Sequence, residues 1–391
     1  MAGPQSLIPV SVLTGFLGSG KTTLLNHLVH SPEMRKALVV INEFGAVSLD
    51  HDLIARSSDD LVVEMMGGCL CCTIRGDLLR TLRDAPWRFA RDGTCWFDRV
   101  VIETTGLADP APILHTLMTD SHLATLYRLD GVIATVDAAT GMATLDAQEE
   151  AIKQAAVADR ILLTKTDLVS HEERASVERR LRALNPAAPI VAVSNGQADP
   201  ATLFEAGLYD PSTKTNDVQR WLKAEAYAND HQDQSHHHDH VHRHGQDHSH
   251  PAAGHHHHDP NRHDDRIHAT CLTFDEPLDP AGFERWLDIL TMFKGPDILR
   301  VKGIVNLIGE PRPIVIHGVQ HIFHPPVLLD AWPSDDRRTR LVFITRDVSV
   351  EELSGTLMLL TSGIRRYDLG GYVENLLNDR QPSLLSYGRW P

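Results

Sequence analysis

Cysteine is scarce: there are five in 391 residues, an odd number, with Cys69, Cys71 and Cys72 in four positions and Cys95 and Cys271 isolated. That set does not make a disulfide framework and fits a reducing cytoplasm. Long apolar runs are missing too. No stretch reaches the roughly 18 residues of a membrane span, and Met1–Val12 lacks the basic and apolar regions of a secretory leader. Neither a membrane protein nor a secreted one is expected. Basic residues are outnumbered, 37 Lys+Arg against 52 Asp+Glu, for a net charge of −15 with His neutral. A nucleic-acid surface needs a basic stripe to displace counterions, so no nucleic-acid partner is expected. An acidic surface suits cations instead.

Histidine is abundant. Fifteen of the 24 lie between His231 and His268. Hydrophobic content of 42% and charged content of 23% are ordinary for a globular chain. At roughly 100–200 residues per domain, the length predicts two or three domains.

Short apolar runs alternate with helical stretches from Ile8 to Val193. Strands are predicted at 8–14, 37–41, 61–65, 99–102, 131–136, 160–163 and 190–193, and helices at 23–30, 77–83, 147–158 and 172–184. This predicts an α/β domain over residues 1–220, with a mostly parallel sheet covered on both faces. Asn229–Arg266 lacks the apolar residues that offset chain entropy, so residues 221–266 read as a flexible linker. Strands at 267–274, 298–308, 313–317, 320–328 and 341–344, with helices at 281–291 and 350–360, predict a smaller α+β domain over 267–362. Residues 363–391 form a tail without clear period.

Gly15-Phe-Leu-Gly18-Ser19-Gly20-Lys21-Thr22 is a complete G-x-x-x-x-G-K-[ST] motif between a strand and a helix. Its glycines let successive amides curl around a phosphate, and the helix N-terminus favours an anion. Lys21 is placed to reach the β- and γ-phosphates and Thr22 to bind Mg²⁺. Further on, Glu103 ends an apolar strand with Gly106 three residues later. Glu103 would act on Mg²⁺ or its water, and the Gly106 amide would sense the γ-phosphate. Thr164-Lys165-Thr166-Asp167 follows another apolar strand. An Asp there can accept both N–H donors of guanine, whereas adenine would leave it unpaired.

Cys69-Leu70-Cys71-Cys72 follows Gly67-Gly68. Thiolates are good zinc ligands, and zinc prefers four ligands in a tetrahedron. Three cysteines supply at most three, so a fourth position falls to a His, Glu43, an Asp or water. An exchangeable shell suits delivery better than permanent structure. Buried thiols and a redox pair are the rival readings. Adjacent Cys71 and Cys72 would make a strained bridge, however, and Cys-x-Cys is not the usual redox spacing.

His236, His237, His238, His240 and His255, His256, His257 and His258 are interleaved with Asp in the linker. Neutral imidazole binds Zn, Co, Ni and Cu, so these are auxiliary ligand candidates, weakening below about pH 6 as protons compete. A solvated low-complexity linker is the bland alternative. As a flexible chain its ends would lie roughly 30–35 Å apart. The remaining histidines are scattered, and His115 stands out only for following Glu103–Gly106.

The run Thr14–Asn26, then Asn42-Glu43-Phe44-Gly45, Gly68–Cys72, Glu103–Pro110 and Thr164–Asp167 resemble, in order, the CobW family of P-loop GTPases. The family is akin to the urease and hydrogenase nickel-insertion GTPases. The resemblance is dense over 8–210 and looser over 267–362. It implies a GTPase that binds GTP or GDP with Mg²⁺, binds zinc or a similar metal such as Co²⁺, and delivers it to the apo-form of a client metalloprotein. Carried over, Gly18, Gly20, Lys21, Thr22 and Thr23 would hold phosphate and Mg²⁺. Glu43 would lie in switch I and Glu103–Gly106 in switch II. Thr164 stands where Asn is usual in the base motif, which leaves Lys165 and Asp167 in place, and Ser194 and Asn195 would approach the base. The Cys loop lies between the two switches, so GTP binding is expected to assemble the metal shell and hydrolysis to loosen it. No arginine finger or water-orienting glutamine is evident, so hydrolysis is expected to be slow without a client. A cobalt or iron inserter, a histidine-rich zinc buffer with a regulatory nucleotide site, and a thiol redox enzyme are the alternatives. A homodimer remains open.

Overall fold

The computed structural model describes residues 7–44, 61–67, 72–204, 266–324 and 326–356. The linker up to residue 265, the tail 363–391, Cys69, Cys71 and all eight auxiliary histidines lie outside them.

The first domain is a seven-stranded sheet in the order β3-β2-β6-β1-β7-β8-β9, every pairing parallel. Its strands are β1 (Ile8–Gly15), β2 (Ala37–Phe44), β3 (Leu61–Gly67), β6 (Arg99–Glu103), β7 (Tyr127–Asp137), β8 (Arg160–Thr164) and β9 (Ile190–Ala192). A small hairpin, β4 (Ala90–Arg91) and β5 (Thr94–Cys95), stands apart. Helices α1 (Lys21–Val29), α2 (Cys72–Arg88), α3 (Ala111–Thr119), α4 (Leu123–Leu126), α5 (Gly141–Ala147), α6 (Glu149–Val157) and α7 (His171–Leu184) fill the crossovers, and α8 (Pro200–Leu203) follows β9.

The strands are apolar on both faces because both are covered. Val10, Val12, Val100 and Ile102 share a core with Leu78, Leu82, Ile113 and Leu114 of α2 and α3. The alternate residues Leu13 and Val101 pack with Leu24, Leu25 and Leu28 of α1. Strand β1 sits between β6 and β7; the chain leaves β1 toward β2 on one side and leaves its neighbour β6 toward β7 on the other. The crevice beyond its carboxyl end is therefore where ligands bind in such sheets.

The second domain is an antiparallel sheet ordered β10-β15-β11-β12-β13, with β14 paired to β12. Its elements are β10 (Ile267–Phe274), α9 (Pro280–Lys294), β11 (Ile298–Leu307), β12 (Glu310–Val319), β13 (Ile322–Phe323), β14 (Val327–Leu328), β15 (Thr339–Arg346) and α10 (Val350–Thr356). Phe283, Trp286, Leu287 and Leu290 of α9 cover one face, packing on Val301, Ile316, Leu341 and Phe343. Trp286 meets Phe343 edge-on at 6.2 Å. Leu299 and Ile344 on the opposite face pack with Ala151 and Ala155 of α6.

The helix expected over 147–158 is α6, and α5 just before it, separated by the extended Gln148 (φ −125°, ψ 110°), was not anticipated. Two expectations change. The strand over 320–328 is two short pieces, since Gln320 turns at φ +55° and Pro326 has no amide to donate. Helix α2 runs well past 77–83 in both directions and tolerates Pro86 near its end. Helix α3 was not anticipated. Its signals are prolines at 110 and 112, suited to a first turn, and buried Ile113, Leu114 and Met118 at helical spacing. No helix among the described residues is long and apolar enough to cross a membrane.

Candidate functional site

The phosphate loop turns where its glycines allow it. Gly15, Gly18 and Gly20 have φ of 143°, 73° and 92°. A Cβ on Gly15 would also lie 2.2 Å from the Thr135 hydroxyl, so the loop needs glycine there for space as well as conformation. Gly20 caps α1 and has no side chain to bond the first amides. Lys21 begins the helix and is 8% exposed. Its Nζ folds back onto the carbonyls of Gly15 at 2.8 Å and Phe16 at 3.2 Å. The Ser19 hydroxyl bonds that of Thr135 at 2.6 Å, which anchors the loop to β7.

The segment after β6 meets this loop at two points. The Thr22 hydroxyl donates to Glu103 Oε1 at 3.4 Å. Gly106 lies against Leu17, so close that a Cβ would stand 2.7 Å from the Leu17 amide nitrogen. Thr104 fixes the start of the segment: its amide donates to Leu13 O at 2.9 Å and its hydroxyl to Thr14 Oγ1 at 2.8 Å. Glu43 stands on β2 two residues beyond Ile41, which pairs with Glu103, so both belong to the same sheet edge.

On the other side of β7, the Thr164 hydroxyl donates to Ser19 O at 2.7 Å, tying the base-motif strand to the phosphate loop. Lys165 takes a left-handed φ of 54° and its ammonium reaches Asp137 at 2.7 Å. Burial alone would raise the Asp137 pKa, but hydrogen bonds from Lys165 and the Ala139 amide outweigh it and hold the carboxyl below its ordinary range. Asp167 sits in the short turn Thr166–Leu168. Thr166 and Ser194 share a hydrogen bond of 3.1 Å, and Gly196 packs against Thr23 O. The phosphate loop, the Glu103–Gly106 segment and the Thr164–Asp167 motif thus converge on one edge of the sheet.

Residues 9–192 match the CobW/HypB/UreG nucleotide-binding domain, and residues 267–359 match the cobalamin synthesis protein CobW C-terminal domain. The chain belongs to the CobW family. Among its relatives, the zinc chaperone YjiA of Escherichia coli is 31% identical over 346 residues, which span 88% of this chain and 96% of that one. The zinc chaperone CobW of a Sinorhizobium species is 27% identical, spanning 87% and 93%. The crystal structure of Zn(II)-bound YjiA GTPase from E. coli superposes with a TM-score of 0.63 at 27% identity, covering 91% of this chain and 99% of that one.

In this CobW-family chain, Cys72 opens α2, directly after the undescribed Cys69 and Cys71. Among the described residues, no group of three or more His, Cys, Asp or Glu is placed to hold a metal. Cys95 and Cys271 are half-buried free thiols, and burial pushes both pKa values up. His115 faces His321 of the second domain with ring centroids 6.2 Å apart.

Two features escaped sequence reasoning because their partners lie far along the chain. One is Gln154, buried on α6, whose amide bonds the loop after Glu103. The other is the charged seam between the domains. Arg300 and Lys302 of β11 both bond Asp159, Lys302 at 2.6 Å, and Arg300 also bonds Val157 O. Burial would raise the Asp159 pKa, but Arg300 and Lys302 hold the carboxyl far below its ordinary range. Burial and the neighbouring Arg300 push the His317 pKa well down, against the pull of Asp159, so the ring is neutral.

Proposed function

We propose that this chain is a GTP-hydrolysing metallochaperone that captures Zn(II) and passes it to an apo client metalloprotein. One observation carries the reading: the segment Glu103–Gly106 touches the phosphate loop at both Thr22 and Leu17. A nucleotide on that loop would therefore lie against residues that respond to its γ-phosphate.

The chemistry of each residue supports this use. Lys21 already sits among phosphate-loop carbonyls, which anionic phosphate oxygens would replace as stronger acceptors. Thr22 and Glu103 offer hard oxygens that fit Mg²⁺, which when bound neutralises charge on the β- and γ-oxygens. Asp167 would choose guanine, with Thr164 and Lys165 shaping its turn. Cys69, Cys71 and Cys72 would bind zinc as cargo, with Glu43 as a fourth ligand from the neighbouring strand end. The names of the relatives, zinc chaperones of similar length, support that cargo. The linker histidines would collect metal for the cysteines.

The experiment measures GTP hydrolysis, then zinc affinity with GTP, with GDP and without nucleotide. GTP is expected to tighten zinc binding, and zinc to tighten GTP binding by the same factor. Equal zinc affinity in all three states would sink the coupling. Substituting Cys71 or Cys72 by Ser is expected to remove tight zinc binding and leave nucleotide binding nearly intact.

A further inference from the structure

Gln154 is 1% exposed, and its amide does one thing. Its Nε2 donates to Gly106 O at 3.3 Å and to Ala108 O at 3.0 Å. Two carbonyl acceptors fix which end of the amide is the nitrogen. Its Oε1 is buried without a hydrogen-bond partner, and Gln154 lines a small cavity with Phe16, Leu17, Thr140 and Thr144. An unpaired buried oxygen is costly. It is tolerated here by a side chain whose two donors hold two carbonyls of an otherwise irregular loop.

The helix that carries Gln154 is fixed to the second domain at both ends. At its start Glu149 pairs with Arg346 of β15. At its end Val157 O accepts from Arg300 of β11. Between them Ala151 and Ala155 share a core with Leu299 and Ile344. The same loop has a second tie to that domain. Gln320, at the β12–β13 turn, donates from Nε2 to Asp109 Oδ2 at 3.2 Å. Asp109 Oδ1 meanwhile accepts the Ala111 amide at 2.9 Å and so starts α3.

We propose that Gln154 is a positioning residue for the phosphate-facing loop: with Gln320 it holds Gly106 against Leu17 from behind, so the seating of the second domain on α6 sets the geometry at the γ-phosphate. This rests on the reading of Gly106 as the γ-phosphate contact. The second domain is then part of the hydrolytic apparatus without touching nucleotide. A client that shifted it by a few tenths of an ångström would be felt at Gly106.

The test uses the full chain. Leucine at 154 removes both donors with little change in volume, and Gln154→Leu is expected to lower kcat for GTP about tenfold while GDP affinity stays within about twofold. Gln154→Glu discriminates further. A buried carboxylic acid still has one proton to donate, and its ionised form repels both carbonyls. Its kcat relative to wild type should therefore fall as pH rises from about 6 to 9, which mere loss of packing would not produce. Gln320→Gly keeps the left-handed turn, removes the donor and should cost about two- to threefold in kcat. Unchanged kcat in all three variants overturns the proposal. So does a loss in which kcat, GDP affinity and melting temperature fall together with no pH dependence. If the wild-type chain hydrolyses no GTP, the proposed function fails, and hydrogen exchange at residues 104–110 still decides the positioning role. Faster exchange there in Gln154→Leu and Gln320→Gly supports it, and unchanged exchange overturns it.

Discussion

Lys21 and Lys302 are equally buried, each 8% exposed, yet they are held by opposite chemistry. Lys21 lies on backbone carbonyls of its own loop. Lys302 lies on a carboxylate of the other domain, beside Arg300. Carbonyl dipoles hold an ammonium loosely enough to exchange for a phosphate. A buried carboxylate shared with a guanidinium binds it for good, because separating any member strands a charge in a poorly solvated place. On the proposed function, one lysine is an instrument for a ligand; the other is a fastening between domains.

That contrast breaks most visibly at Lys21. Lys21→Ala should weaken GDP binding about a hundredfold or more, since hydrogen bonds to charged groups contribute roughly 1.5–3 kcal/mol each. Titration calorimetry reads the loss, and the melting temperature of the nucleotide-free protein should barely move. Asp159→Ala is the mirror experiment. It leaves Arg300 and Lys302 buried without their shared carboxylate, which should cost about 3–5 kcal/mol in urea unfolding. GDP affinity should change by no more than about twofold, as for distant sites. If both variants lose both properties, the two lysines are not distinct in kind.

The smallest effect is one of pH. The folded pKa of His317 is pushed down, so unfolding takes up a proton once the pH drops below the ordinary imidazole value. Stability is complete above about pH 6.5 and declines below it, by at most about 1.4 kcal/mol per pH unit. Urea midpoints at pH 7.5, 6.5 and 5.5 measure the slope, and His317→Gln should flatten it. A flat wild-type curve would mean that burial does not depress the His317 pKa, and a curve rising toward low pH would mean that the seam holds the ring protonated.

The two regions also differ in how far they could be read from the chain. The phosphate loop is contiguous, and its glycines and Lys21 announce their role at fixed spacing. Glu103 and Gly106 were legible because a parallel sheet delivers successive strand ends to one edge. Asp159 and Arg300 lie 141 residues apart in chain, and nothing local to either names the other. Gln154 sits in a plain alanine-rich helix, where a buried amide looks like any exposed one. Helix α5 went unread for a similar reason, since only Gly141 and Leu145 of its seven residues are buried. The cysteine motif was the clearest metal signal in the sequence, and of it only the Cys72 backbone is among the described residues.

Helix α7 shows what a finished helix start looks like: the Ser170 hydroxyl accepts the Glu173 amide, and the Glu173 carboxylate accepts the Ser170 amide in return. Helix α1, which starts at Lys21, has Gly20 at its cap and supplies neither half of that exchange. On the proposed function, its missing cap would be the ligand. A phosphate on the loop would complete α1 as Ser170 completes α7, so nucleotide would enter the first domain as a piece of secondary structure. Thermal stability would then rise with nucleotide concentration by the ordinary mass-action law. The melting curve of this chain would serve as a gauge of how much guanine nucleotide surrounds it.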